Sequence, residues 1–156
     1  MEKLLKFSLV LAIILVTFSS CQKQIKNENL KFKNLTYYVN NETYFSVKNG
    51  IYQNSQVYFE EMMIYFKGGR TRIVKGRMNL RELTIIPKPP LQVEIKNLLI
   101  NIKKDPIINL KKMMIEGYDV EIINKNKKEE KVVKAYKINI DLKENKIYTL
   151  QNRGVW

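Results

Sequence analysis

The chain has 156 residues, with 28 Lys and Arg against 15 Asp and Glu for a net charge of +13, a single cysteine and no histidine. Without imidazoles or a second thiol there can be no nitrogen- or thiolate-ligated zinc site, no intramolecular disulfide and no Cys-x-x-Cys redox pair. No Gly-rich phosphate loop or Gly-x-Ser-x-Gly elbow is present, and the acid pairs Glu60-Glu61 and Glu129-Glu130 are sequence neighbours, which a strand points to opposite faces; neither an enzyme nor a cofactor is expected.

In chain order, Met1-Glu2-Lys3-Leu4-Leu5-Lys6 is basic and is followed by an apolar run from Phe7 to Phe18. That is the pattern of a secretory signal. The run is short of the roughly 20 residues a spanning helix needs, so residues 1–20 are expected to be cleaved. Phe18-Ser19-Ser20-Cys21 resembles the lipobox of bacterial lipoproteins, with Phe18 standing where that motif prefers Leu. The resemblance implies acylation of Cys21, including a palmitate-type chain, and two or more chains suffice for stable anchoring. The expected location is the cell envelope, lipid-anchored on the periplasmic side. An exported basic protein meets lipid phosphates or acidic glycans rather than nucleic acid, although AT-rich coding would also yield a chain so crowded with Lys, Asn and Ile.

Residues 21–33, polar and without period, read as the lipidated N-terminus and a tether, leaving 34–156 as one all-β domain. Leu35 to Val39 and Thr43 to Val47 flank the turn signal Asn40-Asn41. Ile51 to Phe66 is long enough for two strands or one bent strand. Lys67-Gly68-Gly69 then turns into Thr71 to Leu83, where Val74, Met78 and Leu80 share a face opposite Lys75, Arg77 and Asn79. Pro87-Lys88-Pro89-Pro90 marks an edge or corner. Beyond it, Leu91, Val93 and Ile95 alternate with polar residues. After Asn97 the apolar set shifts to Leu98, Ile100 and Ile102, which predicts a bulge. Strands are expected over Ile107 to Ile115, from Tyr118 to Ile123 after Gly117, and over Lys131 to Leu142. A charged loop at 124–130 and a turn at Glu144-Asn145 separate these from Lys146 to Leu150. An internal repeat pairs Met62-Met63-Ile64 with Met113-Met114-Ile115, and Ile73-Val74-Lys75-Gly76 with Val132-Val133-Lys134-Ala135.

Many one-sided strands rich in Met and aromatics are joined by basic turns. Over Asn49 to Glu82 and Gly117 to Leu150, this pattern resembles the LptC/LptA (OstA-like) family of lipopolysaccharide-export proteins. The matching stretches are Asn49-Gly50-Ile51-Tyr52, Gly117-Tyr118-Asp119-Val120-Glu121-Ile122 and Lys134-Ala135-Tyr136-Lys137-Ile138-Asn139-Ile140-Asp141. The resemblance implies an antiparallel β-jellyroll or sandwich-like open sleeve. Its groove would shield acyl chains of lipopolysaccharide or phospholipid beside an ABC transporter, docked by edge-strand pairing to a second β-jellyroll protein. The groove residues would be Val74, Met78 and Leu80, then Tyr118, Val120 and Ile122, then Tyr136, Ile138 and Ile140. Tyr148, Thr149 and Leu150 carry no charge, proline or bulge to blunt an edge, and with Trp156 they form the expected docking edge. The alternative is a surface or periplasmic lipoprotein that binds or scaffolds protein or glycan.

Overall fold

Eleven β-strands and no helix occur among residues 29–126 and 131–151, the residues described by the computed structural model. The strands are β1 Leu30–Tyr38, β2 Tyr44–Gln53, β3 Gln56–Phe66, β4 Gly69–Ile73, β5 Gly76–Asn79, β6 Thr84–Pro87, β7 Leu91–Ile95, β8 Leu98–Asn109, β9 Met114–Asn124, β10 Val132–Asp141 and β11 Lys146–Leu150. All belong to one antiparallel sheet. β4 and β5 pair with successive halves of β3, while β7 and β6 pair with successive halves of β8. β4 pairs with β7 and β5 with β6. Each of these short couples therefore behaves as one strand broken at its middle, by Val74-Lys75 and by Lys88-Pro89-Pro90, and the topology reduces to a meander of long strands.

The breaks are the local form of a general device. In β3 the buried residues are Val57 and Phe59, then Met62, Ile64 and Phe66, so the inward parity changes at Glu60-Glu61. β2 changes between Val47 and Gly50, β9 between Gly117 and Val120, and β10 between Ala135 and Ile138. A parity change without a turn requires a bulge. Asn49 and Asp119 supply it with φ of 51°, and Asp105 with φ of 47° sits where the β8–β9 register shifts. Asn and Asp tolerate this left-handed region better than other side chains. The bends line up from strand to strand and divide the sheet into two arms.

Register explains why the arms close on one another. In one arm the row Tyr52, Val57, Met78, Ile85, Ile108, Ile115, Ile140, Ile147 runs through consecutive strand pairs. In the other, Tyr37, Phe45, Ile64, Thr71, Val93, Ile100, Ile122, Val133 does the same. Both rows belong to a single apolar cluster, apart from Thr71 and Val133. Thr71 is buried with its hydroxyl donating to the Gln92 carbonyl at 2.6 Å. Because only this sheet is available among the described residues to cover these rows, each arm covers the other. The turn tip at Gly68 meets Asn145 of the β10–β11 turn, with a Cβ built on Gly68 lying 3.3 Å from the Asn145 amide.

Several expectations are corrected. β1 begins at Leu30, inside the segment read as tether, because Phe32 already packs its ring over Gly50. Of the two readings of Ile51 to Phe66, two strands is the one observed, divided by a tight turn at Asn54 and Ser55, both at positive φ. The shift after Asn97 is no bulge but the Lys96-Asn97 hairpin turn, since Leu91–Ile95 and Leu98–Ile102 are antiparallel partners. Ile107 to Ile115 is likewise cut by a turn. Met62-Met63-Ile64 lies within β3, whereas Met113 ends a turn, so that pair of triplets is not structurally equivalent.

A different repeat organises one end of the meander. Asn79-Leu80-Arg81-Glu82-Leu83, Asn109-Leu110-Lys111-Lys112-Met113 and Asp141-Leu142-Lys143-Glu144-Asn145 each begin at the close of a strand. The first side chain accepts hydrogen bonds from turn amides: Asn79 from Arg81 at 2.9 Å, Asn109 from Lys112 at 2.9 Å and Asp141 from Lys143 at 2.9 Å. This Asx-type closure leaves the fifth residue at positive φ in all three turns. Successive turns are joined by Leu110 N–H to Leu83 O and Leu142 N–H to Met113 O, at 2.9 and 2.8 Å.

Candidate functional site

The sheet has two ends, β1 and β11, and they are unlike. β11 pairs with Lys137–Asp141 only, so the first half of β10, Val132–Tyr136, has β9 on one side and no paired strand on the other among the described residues. The inward row that begins at Tyr37 stops there. Ile122 pairs with Val133, and Val120 with Ala135; Ala135 is still buried but Val133 is 41% exposed. At this point side chains that elsewhere would be core come to the surface.

A cleft of about 1030 Å³ occupies that edge. Val132, Val133, Ala135 and Tyr136 line it together with Tyr118, Lys104, Lys134, Asp105, Asp119 and Gln151. Tyr118 and Tyr136 meet edge to face at 5.6 Å, and the Lys137 ammonium lies 5.5 Å from the Tyr118 ring centre. Beside the cleft, Lys103 donates to Glu121 at 2.7 Å. That hydrogen bond raises the Lys103 pKa and lowers that of Glu121. The arrangement places an apolar strip next to lysines, which suits a molecule with both hydrocarbon and anionic parts.

The expected groove residues do not form one face. Met78, Val120, Ile138 and Ile140 are buried in the core, while Val74 (68% exposed) stands out on the bend and Tyr136 is exposed at the cleft. Leu80, Tyr118 and Ile122 are half-buried. The parity change at each bend is the reason: Val74 and Met78 share a parity but lie on either side of one. Of the nine, Tyr118 and Tyr136 come together in the cleft, flanked by Val120 through its pairing with Ala135. Lys104, Val132 and Val133 were missed. Exposed Val132 and Val133 read as an ordinary strand start, and only the shortness of Lys146–Leu150 beside Lys131–Leu142 signals that half an edge lacks a partner.

At the expected docking edge, β11 is terminal in the sheet, with Tyr148 and Leu150 largely exposed and Thr149 exposed as well. Trp156 lies outside the described residues, as do Cys21, the signal segment and Glu129-Glu130. Among the described residues no group of acids could hold a metal ion, and no helix is long and apolar enough to cross a membrane. None of the protein-family models matches the chain, and no curated relative is found.

Proposed function

We propose that the chain is an envelope lipoprotein, anchored through Cys21, that handles an anionic lipid such as lipopolysaccharide or phospholipid as one component of a transport assembly beside an ABC transporter. The observation that carries this reading is the cleft at β10, where the inward rows of the folded sheet end in exposed Val133 beside Lys104 and Lys134. An acyl chain passing over the open edge of β10, between Val133 on one face and Val132 and Tyr136 on the other, leaves water, at about 0.8 kcal/mol per methylene buried, while its phosphate remains within reach of the lysines. Cargo is therefore taken at the edge, because Ile64, Ile100, Ile102 and Ile138 fill the interior without exposure.

Photo-crosslinkers at Val133 and Tyr136 should capture phospholipid or lipopolysaccharide in the native envelope, and crosslinkers at the packed positions Met78 and Ile140 should not. Lipid captured at the core positions but not at Val133 would reject the edge site. A second reading, a scaffold that binds protein by strand addition, is favoured by the exposed Tyr148 and Leu150 on a terminal strand. Capture of a protein partner alone at Val133 and Tyr148 would select it.

A further inference from the structure

Two registers meet on β10, and together they say what can lie along its open half. With β11 the pairing runs from Asp141 opposite Lys146 to Lys137 opposite Leu150 without a shift. On the far side, β10 keeps an equally even register with β9, from Val132 opposite Ile123 to Asp141 opposite Met114. The strand is therefore an unbroken template past the point where β11 ends. Carried one step further, the β10–β11 register puts Gln151 opposite Tyr136. Both line the cleft, so the chain reaches the site at the residue the register requires.

The residues that follow in the sequence suit that place. At the same register residues 152–156 run opposite residues 135–131. Directly opposed residues of an antiparallel pair share a face, and Val133 and Ala135 share theirs with Ile122 and Val120 of the apolar cluster. Gly154 falls opposite Val133, and Trp156, of the same parity, lies diagonal to it, within reach for an aromatic side chain. Val155 falls beside Val132 on the other face. Val132 and Val133 are exposed; each gains an apolar neighbour, and the open edge gains backbone partners. One pair is adverse: Arg153 falls opposite Lys134, and like charges so placed destabilise. Gly154 is also a poor strand former.

We infer that residues 152–156 prolong β11 along the open half of β10, so that the cleft is covered by the chain's own following segment until a ligand displaces it. Covalent continuity with β11 gives this segment an effective concentration at the edge that a second copy or a foreign strand must exceed. The adverse pair and the glycine hold it less firmly than β11, which makes it displaceable. That the displacing ligand is an anionic lipid rests on the reading of the cleft given above: lipid and segment exclude one another because both need the surface of Val132 and Val133.

The test uses the full-length lipoprotein purified from membranes and carrying Val132→Cys with Val155→Cys. On mild oxidation the two thiols should form an intramolecular disulfide, located by mass spectrometry of the joined peptides. Val133→Cys with Val155→Cys, one residue out of register and so on opposite faces, should join several-fold more slowly. Amide hydrogen exchange gives a second measurement without cysteines: residues 132–136 should exchange several-fold faster in a chain stopped after Gln151 than in the full chain, with β8 unchanged. Equal rates for the two cysteine pairs, a disulfide found only between two chains, or unchanged exchange at residues 132–136 would overturn the inference. Lipid is scored separately, on vesicles of phosphatidylcholine mixed with phosphatidylglycerol. A photo-crosslinker at Tyr136 should capture several-fold more lipid in the stopped chain than in the disulfide-locked one. A correctly formed disulfide with no lipid captured by either chain would reject the lipid reading and leave the added strand standing. Equal capture by both would overturn the segment's control of the cleft.

Discussion

Side chains in this protein divide sharply between those whose removal leaves a hole and those whose charge is merely steadied. Ile100 has no exposed surface and sits mid-row between Val93 and Ile122. Ile100→Ala should cost about 2–5 kcal/mol, measured as a fall in the urea midpoint without a change in slope. Gly76 is restricted in the opposite sense: a Cβ there would come within 2.8 Å of the Ile86 carbonyl oxygen and 2.9 Å of the Phe59 ring. Since backbone cannot step aside, Gly76→Val should destabilise by an amount comparable to overpacking a core, about 1–3 kcal/mol, read in the same unfolding experiment. The exposed Lys103–Glu121 pair acts only through pH. The lysine hydrogen bond holds the Glu121 carboxyl below its ordinary value of 4.5. Its contribution is thus present above that pH and lost as pH falls through the lowered value. Thermal unfolding of wild type and Glu121→Gln should differ slightly at pH 7 and converge in acid.

At the scale of elements, the repeated turn is where sequence and structure can be compared most directly. Asn109→Ala should remove the acceptor of the Lys112 amide and cost about 0.5–1.5 kcal/mol. Leu110→Ala, which empties a buried site, should cost more. A smaller loss for Leu110 than for Asn109 in parallel unfolding curves would show that the tip, not the leucine beneath it, holds the turn. The strands themselves were legible, because alternation over Leu91 to Ile95 or Tyr136 to Leu142 admits only a half-buried strand. The bends were not. A parity change at Glu60-Glu61 or Asp119 looks like noise in an alternating pattern when neither glycine nor proline marks it, and a face assembled across one combines inward with outward residues. That is how Val74 came to be grouped with Met78. The cleft was hidden for another reason: it is created by the missing strand beside Val132–Tyr136, and an unpartnered edge depends on the lengths of two strands rather than on any residue in either.

For the whole molecule, the candidate site lies at an open border of the folded sheet rather than in its core, so it can be altered without unpacking the fold. Val133→Lys should abolish lipid capture at the cleft and leave the urea midpoint close to that of the wild type, since Val133 is 41% exposed. A fall in the midpoint as large as that expected for Ile100→Ala would mean that Val133 is core rather than site. The meander has one more consequence. Each long strand hydrogen-bonds only to the strands before and after it in the chain, so the contacts that define the fold close short loops. Low contact order of this kind favours rapid folding for an all-β protein. A chain threaded outward from its N-terminus could lay down each hairpin on the one before it, with no strand waiting for a distant partner. Refolding followed by stopped-flow fluorescence should accordingly be faster than for a Greek-key sandwich of the same length.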